Sequence, residues 1–490
     1  MTPPTWVAFT AAVILSACAQ PTPEQQVVND AVAALGGRDR LLAVKTVVLE
    51  GEGSAGSLGQ DMTMEANGQQ FTLSPYRSAI DVTGGRIRVE QSRTPNFAYF
   101  QGPQTQKLVQ GLDGDVGYNL AANGTATRIS TPAAGDRRAE FYHHPLTLVR
   151  ASLDPAATLG NPQTLGNQRS VDVSIPGGRT ITLAIDATTK LPTRIVHMAY
   201  HPNLGDVAVE TSFSDYQDVN GLRLPAHLAS KIDKYGTMDL RLAKQTVDGD
   251  VGDLAAPATA TLAAPFAGPP PANVTAQEVS KGIWLLAGQS HHSVLVEFSD
   301  HLTLVEFPQS EARTLAVIAK ARELRPGKPL THAVNSHHHF DHSAGLRAAV
   351  SEGLTIITHR ANAPFFQEAV ERKHTLVQDA LAKNPKPLKI ETVDDELVLK
   401  DDTMTMNLYH AKGSPHGDAI LLAYFPKERV LSQADLYSPN PNPGAAFPYV
   451  ANLVENVKNR NLKVDRIVPL HGTIVPYAEA VRSLPAATAN

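Results

Sequence analysis

The sequence predicts two domains of different class, a mostly antiparallel β half-barrel domain over residues 24–250 and an α/β domain over residues 277–490. From Thr46 to Val247, short runs alternate apolar and polar residues and are separated by Gly, Asn, Asp and Pro, which is typical of an antiparallel sheet folded as a barrel or half-barrel. Residues 251–276 are rich in Ala, Pro and Thr and have no periodicity, as linkers do. After them, strand patterns alternate with helix patterns, which indicates an α/β domain.

The length of the chain predicts more than one domain, and its charge argues against a nucleic-acid-binding protein. A chain of 490 residues is long enough for two domains that each bury a core. The formal net charge of -5 is small, and no long basic run occurs. A nucleic-acid partner is therefore not expected, because such partners are held mainly by clustered Lys and Arg.

Residues 1–18 have the pattern of a signal peptide. The run from Trp6 to Ala17 is apolar but too short to span a bilayer, and it suits the hydrophobic region of a secretory signal. The four residues Leu-Ser-Ala-Cys that end at Cys18 resemble the lipobox of bacterial lipoproteins. This resemblance implies acylation of Cys18 and a periplasmic protein that is held at the outer membrane by its lipid alone. Ala17-Cys18-Ala19 also fits ordinary signal cleavage, and Met1 to Thr5 carries no basic residue; export is expected either way.

Cys18 is the only cysteine of the chain. Once it is acylated or removed, neither a disulfide nor a thiolate ligand remains. Any metal site in the mature protein must therefore use histidine and carboxylate side chains.

Three helical segments are predicted in the first domain, two at its start and one as a later insert. The segment from Glu24 to Leu35 has helical apolar spacing and stops at Gly36-Gly37, and a second short helix is expected over Arg38 to Val44. A helix-like insert from Pro145 to Leu153 is expected to cover the open face of the sheet. The adjacent pair His143-His144 is interpreted as structural, because the sequence places no cluster of partners beside it.

Two phrases in this domain resemble segments of periplasmic lipoprotein-carrier half-barrels. They are Ile185 to Pro192, which has the turn pattern, and Asp215 to Pro225, which has the strand pattern. The resemblance implies a half-barrel that either holds an acyl chain or serves as a scaffold. It carries no function by itself, since one fold supports many functions.

The second domain contains the residues with the clearest chemistry. His337, His339, Asp341 and His342 form an H-x-H-x-D-H motif between a strand-like and a helix-like run. Alternate residues of an extended strand project to one side, so His337 and His339 can share one metal ion. Asp341 and His342 offer the oxygen and nitrogen ligands that suit a second divalent ion. The middle residue, His338, is expected to point away.

Three further candidate ligands follow later in the domain, each at the end of a predicted strand: His416, Asp435 and His471. Taken alone, each has an ordinary explanation as a turn or loop residue, and short histidine tracts also occur as solvated surface loops. Their common placement at strand ends, after an H-x-H-x-D-H corner, favours one metal site over a surface loop.

Together these motifs resemble the metallo-β-lactamase superfamily, over roughly Val274 to Ala486. The resemblance implies an αββα sandwich that binds two zinc ions at one edge of its sheets, although iron or manganese suits the same ligand types. Carried over residue by residue, it implies that one metal is held by His337, His339 and His416, the other by Asp341, His342 and His471, with Asp435 bridging both. The chain departs from many members at Ser414-Pro415 before His416 and at Ala434 before Asp435, where those members have glycine.

The activity implied by this resemblance is hydrolysis of an ester, lactone, thioester or amide of a small-molecule substrate. The nucleophile would be a hydroxide shared by the metals, with Asp341 as the catalytic residue that orients it and passes on its proton. His292, in a predicted hairpin, and Tyr437, just past Asp435, are candidate substrate contacts. The alternatives are a β-lactamase-like hydrolase of antibiotics, an iron-dependent oxygenase of the same fold, and a non-enzymatic lipid-binding protein of the cell envelope.

Overall fold

The computed structural model describes residues 20–65, 69–97, 105–268, 272–439 and 449–484. The predicted signal peptide and Cys18 lie outside these residues. None of the helices within the described ranges is long and apolar enough to cross a membrane.

The first domain is built on one antiparallel sheet, which counts thirteen strands within the described residues. The strands follow one another along the sheet as a meander, and β1 returns to pair with β13, so that Val47 lies opposite Val247. This confirms the predicted antiparallel β domain. The strands are β1 (Thr46–Gly56), β2 (Gln70–Asp81), β3 (Arg86–Pro95), β4 (Gln106–Asp113), β5 (Val116–Leu120), β6 (Ala126–Arg128), β7 (Thr158–Leu165), β8 (Gln168–Ser174), β9 (Thr180–Asp186), β10 (Pro192–His201), β11 (Gly205–Val219), β12 (Leu222–Ile232) and β13 (Tyr235–Val247).

Helices α1 (Pro23–Leu35), α2 (Arg38–Ala43), α3 (Thr131–Phe141) and α4 (Pro145–Ala151) accompany this sheet. The side chain of Thr22 caps α1 in a capping box, and Gly36 ends it at a φ of 124°, which explains why the sequence signals at both ends were readable. Apolar residues of α1, α2 and α4 share one buried core with the sheet. Helix α3 was not predicted, since its apolar pattern is weak. A further short helix, α5 (Ala258–Leu262), lies within the predicted linker.

The histidine pair before α4 is buried. His143 shares hydrogen bonds of 2.7 Å with His197 and 2.9 Å with Thr211. His144 accepts a hydrogen bond from the backbone N–H of Leu146 and thereby caps α4. The partners of His143 come from strands more than fifty residues further along the chain, so the sequence could not reveal them.

The second domain contains two sheets. The first sheet holds seven strands and the second six, counted over the described residues. The first comprises β14 (Thr275–Ser280), β15 (Ile283–Ala287), β16 (Ser293–Glu297), β17 (Leu302–Val305), β18 (Leu330–Val334), β19 (Thr355–His359) and β20 (Lys389–Val393). The second comprises β21 (Glu396–Lys400), β22 (Thr405–His410), β23 (Leu421–Phe425), β24 (Val430–Gln433), β25 (Arg466–Pro469) and β26 (Val475–Pro476).

The helices of this domain cover the outer faces of the two sheets. They are α6 (Glu311–Leu324), α7 (Phe340–Ser343), α8 (Leu346–Ser351), α9 (Ala363–Glu371), α10 (Ala380–Lys383), α11 (Val450–Asn459) and α12 (Tyr477–Arg482). One apolar cluster joins α6, α8 and α9 to the first sheet, a second fills the space between the sheets, and a third joins α11 and α12 to the second sheet. This is the predicted αββα sandwich.

The two domains are in contact. The apolar cluster on the first sheet of the sandwich also includes Leu204, Val207 and Tyr235 from the first domain. Arg372 of the second domain contacts Asp233 at 2.5 Å across the boundary. Residues 57–65, the part of the connection from β1 to β2 that directly follows β1, extend from the first domain to the ligand-bearing end of the sandwich, and we call them the β1–β2 loop.

Candidate metal centre

The H-x-H-x-D-H motif begins directly after β18 and ends in the short helix α7. His337, His339 and His342 are each fully buried. Asp435 follows β24, and His471 follows β25. The strands β24 and β25 are parallel neighbours in the second sheet. The ends of these strands therefore bring residues that are far apart in sequence to one edge of the sandwich.

Two groups of potential ligands form at this edge, and within each group the ligand atoms lie within 4.8 Å of one another. The first group is His337, His339, His416 and Asp435, and the second is His291, Asp341, His342 and His471. All seven residues that the sequence analysis selected as ligands are brought together here, and His291 joins them.

Asp435 lies between the two groups. Its Oδ2 atom is 2.9 Å from His342 Nε2 and 3.2 Å from His416 Nε2, and its Oδ1 atom is 2.9 Å from His471 Nε2. The residue has a φ of 60°, a left-handed conformation that Asp adopts more readily than most residues. The side chain of Gln433 fixes this turn, since its Oε1 atom accepts hydrogen bonds of 3.0 Å from the backbone N–H groups of Leu436 and Tyr437.

Two ring nitrogens point into the first group with no hydrogen-bond partner among the described residues: His337 Nε2 and His339 Nδ1. His337 Nε2 is 3.2 Å from Asp435 Oδ2 but lacks hydrogen-bond geometry. Burial, together with the nearby His342, lowers the pKa of His337 to about 3. Burial and the neighbouring His337 hold the pKa of His339 well below its usual range. Both rings are therefore neutral, as metal ligation requires.

The carboxylates of the site are held ionised. Burial acts to raise the pKa of Asp341, but the charge of His342 and the hydrogen bond from His291 outweigh it and lower that pKa far below its usual range. Burial opposes ionisation of Asp435 too, and His342 with His337 lowers its pKa well below the normal value. Conversely, burial would lower the pKa of His342, yet Asp435 and Asp341 raise it well above 6.5.

A buried carboxylate that the sequence analysis missed orients His342. Glu306 is fully buried, and its Oε2 atom accepts a hydrogen bond of 3.2 Å from His342 Nδ1. Its other hydrogen bonds come from the Asn335 side chain (2.8 Å), the Ser336 backbone (3.3 Å) and the Ser336 hydroxyl (2.5 Å). Nδ1 of His342 donates its hydrogen to Glu306, and this contact turns the ring so that its Nε2 atom faces Asp435 and the ligand groups. Carboxylates commonly orient metal-binding histidines in this way.

Of the two hairpin histidines, the sequence analysis selected His292, but the structure places His291 at the ligand groups. His291 Nε2 is 3.1 Å from Asp341 Oδ2, and its ring centre is 4.0 Å from that of His471. His292 Nε2 instead lies 3.0 Å from the Gly472 carbonyl oxygen, so it ties the hairpin to the loop that follows His471. On a hairpin the two side chains alternate, and only the register of the turn decides which faces inward.

The remaining selected positions are placed as follows. Tyr437 is buried in the apolar cluster under α11 and α12. His338 lies outside both ligand groups. Of the two residues that stand where glycine was expected, Pro415 before His416 is exposed and Ala434 before Asp435 is buried. The loop from Ser438 to Phe447, expected to line the substrate pocket, lies outside the described residues beyond Pro439.

Comparison with known proteins agrees with this geometry. The sequence model of the metallo-beta-lactamase superfamily matches residues 287–471. The second domain of this chain is therefore a metallo-β-lactamase superfamily domain. No curated protein matches the chain significantly.

Among solved structures, the chain is similar to the metallo-beta-lactamase from Pontibacter korlensis, with 15% identity over 43% of this chain and 97% of that one and a TM-score of 0.34. The DIM-1 metallo-beta-lactamase is 18% identical over 43% of this chain and 94% of its own, with a TM-score of 0.33. The metallo beta lactamase from Hirschia baltica is 15% identical over 43% of this chain and 95% of its own, with a TM-score of 0.33.

Proposed function

We propose that this protein is an exported hydrolase that uses two divalent metal ions, zinc in the first instance, to cleave a carbonyl substrate of ester, lactone, thioester or amide type. The observation that supports the proposal is the pair of four-residue ligand groups with Asp435 between them. Each group offers imidazole nitrogens together with one carboxylate. That donor set matches catalytic zinc sites, and manganese and iron accept the same ligands.

The residues fit metal ions on an independent ground. An imidazole nitrogen buried without a partner is unfavourable, because it has lost its hydrogen bonds to water. His337 Nε2 and His339 Nδ1 are two such atoms in one group, and coordination by a metal would give both a partner. His337, His339 and His416 would hold the first ion, and Asp341, His342 and His471 the second, with Asp435 shared.

When bound, the ions would lower the pKa of a water molecule to about 7 and polarise the substrate carbonyl. The chain's own contribution begins with Asp341. Its carboxylate is fixed on both oxygens, by Gln60 Nε2 at 2.7 Å on Oδ1 and by His291 Nε2 at 3.1 Å on Oδ2. A fixed, ionised carboxylate beside the ligand groups can orient the attacking water and accept its proton.

His291 has a second possible use in the reaction. Its Nε2 atom carries a hydrogen when it donates to Asp341, and it lies in the group that contains His342 and His471. It is thus placed either to give up that hydrogen and complete the second ligand set, or to donate that hydrogen to a leaving group and then take a proton from Asp341 in its place. We propose His291 for this role in addition to His292 and Tyr437, which remain predictions.

The test begins with metal analysis of the full chain purified without added metal, followed by activity on chromogenic β-lactams, lactones, thioesters and phosphodiesters with and without chelator. We expect two equivalents of zinc and chelator-sensitive cleavage of at least one carbonyl substrate. Asp435→Asn, which keeps the side-chain shape but removes the shared charge, should lower metal affinity by more than about 100-fold. The matched control is His301→Ala, a histidine of the same domain outside both ligand groups.

Two outcomes would contradict the proposal. One iron per chain without zinc would favour the oxygenase alternative. Full activity in Asp435→Asn would show that the ligand groups do not carry the reaction. Cleavage of β-lactams in preference to every other substrate would instead narrow the proposed amide substrate to that of an antibiotic hydrolase.

A further inference from the structure

The β1–β2 loop belongs to the first domain but contacts the ligand-bearing segments of the second. We propose that this loop completes the metal centre: the backbone carbonyl of Asp61 sets the tautomer of His339, and the amide of Gln60 fixes Asp341. The proposal rests on the proposed metal site and assigns the first domain a positioning role in it.

The Asp61 carbonyl oxygen lies 2.9 Å from His339 Nε2 and 2.9 Å from His338 Nε2. A carbonyl oxygen can only accept a hydrogen bond, so each ring must carry its hydrogen on Nε2. With its hydrogen on Nε2, His339 has Nδ1 as its other ring nitrogen, and that atom is buried without a hydrogen-bond partner among the described residues. The first domain thus decides which nitrogen of His339 is available to a metal.

Gln60 acts on the other ligand group. Its Nε2 atom donates a hydrogen bond of 2.7 Å to Asp341 Oδ1. Since His291 already holds Oδ2, the carboxylate of Asp341 cannot rotate without breaking one of the two contacts. Gln60 therefore fixes the direction in which the proposed ligand and proton acceptor points.

The β1–β2 loop is held in place by two of the ligand-bearing segments. The backbone N–H of Phe340 donates to the Gly59 carbonyl at 3.1 Å, and the backbone N–H of Asp418 donates to the Met62 carbonyl at 3.2 Å. Phe340 lies inside the H-x-H-x-D-H segment, and Asp418 lies two residues after His416. One loop of the first domain thus joins two of the three segments that supply the first ligand group.

Gly59 shows how close this approach is. It has a φ of 73°, and a Cβ atom at this position would lie 2.3 Å from the Phe340 ring. A side chain here would force the loop away from Phe340 and would carry Gln60 and the Asp61 carbonyl with it. Gly85 is a matched control, because it has a φ of 64° in the same domain, and a Cβ atom there would have none of the described residues within 4 Å. An alanine at Gly85 would introduce the same backbone strain without a collision.

The experiment compares wild type, Gly59→Ala, Gln60→Ala and Gly85→Ala in the full chain. Zinc affinity is measured by competition with a chromogenic chelator, and the absorption spectrum of the cobalt(II)-loaded protein reports the geometry of the ligands. We expect Gly59→Ala and Gln60→Ala to lower zinc affinity by about 10- to 100-fold and to change the cobalt spectrum. Gly85→Ala should change neither, although its thermal stability should fall because of the backbone strain that it shares with Gly59→Ala. Gln60→Ala removes only a partly exposed contact, so it should still fold if Gly59→Ala does not.

The outcomes separate this inference from the proposed function. If wild type binds two zinc ions and both loop variants match it in affinity and in cobalt spectrum, the loop has no positioning role, while the metal centre stands. If Gly85→Ala loses zinc affinity as much as Gly59→Ala does, general loosening of the first domain is the cause and the inference is wrong. If wild type binds no metal, the proposed function fails as well.

Discussion

Glu306→Gln is the substitution that tests most directly how the second ligand group is organised. Glutamine has nearly the same shape as glutamate but replaces one acceptor oxygen with an NH₂ donor. On the Oε1 side that NH₂ would meet the backbone N–H of Ser336 and the Asn335 side-chain amide. A backbone N–H cannot turn into an acceptor. We therefore expect the NH₂ on the Oε2 side, facing the Ser336 hydroxyl and His342 Nδ1.

This arrangement leaves no place for the hydrogen on His342 Nδ1. That atom must accept from the new NH₂, so the ring keeps its hydrogen on Nε2, the atom 2.9 Å from Asp435 Oδ2. That hydrogen bond survives without metal, and we expect metal-free stability to fall by about 1–3 kcal/mol for the mismatched polar contacts. Ligation by His342 is lost, however, and zinc affinity should fall by about 10- to 100-fold. The extra stability conferred by excess zinc should then fall by about 1.4–2.8 kcal/mol.

The assay is urea unfolding of wild type and Glu306→Gln, each with chelator and with excess zinc. The matched control is Glu297→Gln, which weakens ion pairs of 2.6 Å to Arg325 and 2.7 Å to Lys328 away from the ligand groups. The control should lose stability equally with and without zinc. If Glu306→Gln also loses equal amounts in both conditions, the reasoning about the tautomer is refuted.

Three further predictions concern other parts of the chain. Burial lowers the pKa of His144 to about 4, so the folded state disfavours its protonation, and the free energy of unfolding falls as pH falls from 6.5 towards 4, by about 2 kcal/mol at pH 5. His144→Asn can still cap Leu146, and between pH 7.5 and 5 its free energy of unfolding should fall by that amount less than that of wild type. The same fall in variant and wild type would contradict this prediction. If the proposed lipid anchor is attached at Cys18, Cys18→Ser should move the protein from the membrane fraction to the soluble fraction, and continued membrane association on fractionation would show that no lipid anchor is attached there. His291→Ala should lower kcat on any substrate found, whereas His292→Ala should mainly lower the thermal midpoint of the hairpin region, and the reverse pattern in kinetics and melting would contradict the placement of these two residues.

The sequence identified much of the fold because the relevant signals are local. Alternation with a period of two marked the antiparallel sheet, and the caps at Thr22 and Gly36 marked α1. The apolar face of α3 is short and interrupted by charged residues, so that helix gave no such signal. In the second domain, the motif from His337 to His342 could be recognised because four side chains with metal-binding chemistry fall within six residues.

Predicting His416, Asp435 and His471 as ligands required, besides the local motif, the knowledge that neighbouring strands of one sheet end at a common edge. The sequence could not supply the distances between them. The position of Asp435 between the two groups depends on how β24 and β25 pack and on a turn with positive φ. The inward direction of His291 depends on the register of a hairpin, which a sequence pattern leaves open.

The sequence by itself thus determined the chemistry that is available, namely histidines and carboxylates at strand ends and no cysteine beyond Cys18. The tertiary structure alone decided which groups orient those ligands. Glu306 reaches His342 across 36 positions, and Gln60 reaches Asp341 across 281. Such contacts leave no periodicity or spacing in the chain, because they arise only when separately folded segments are packed against each other.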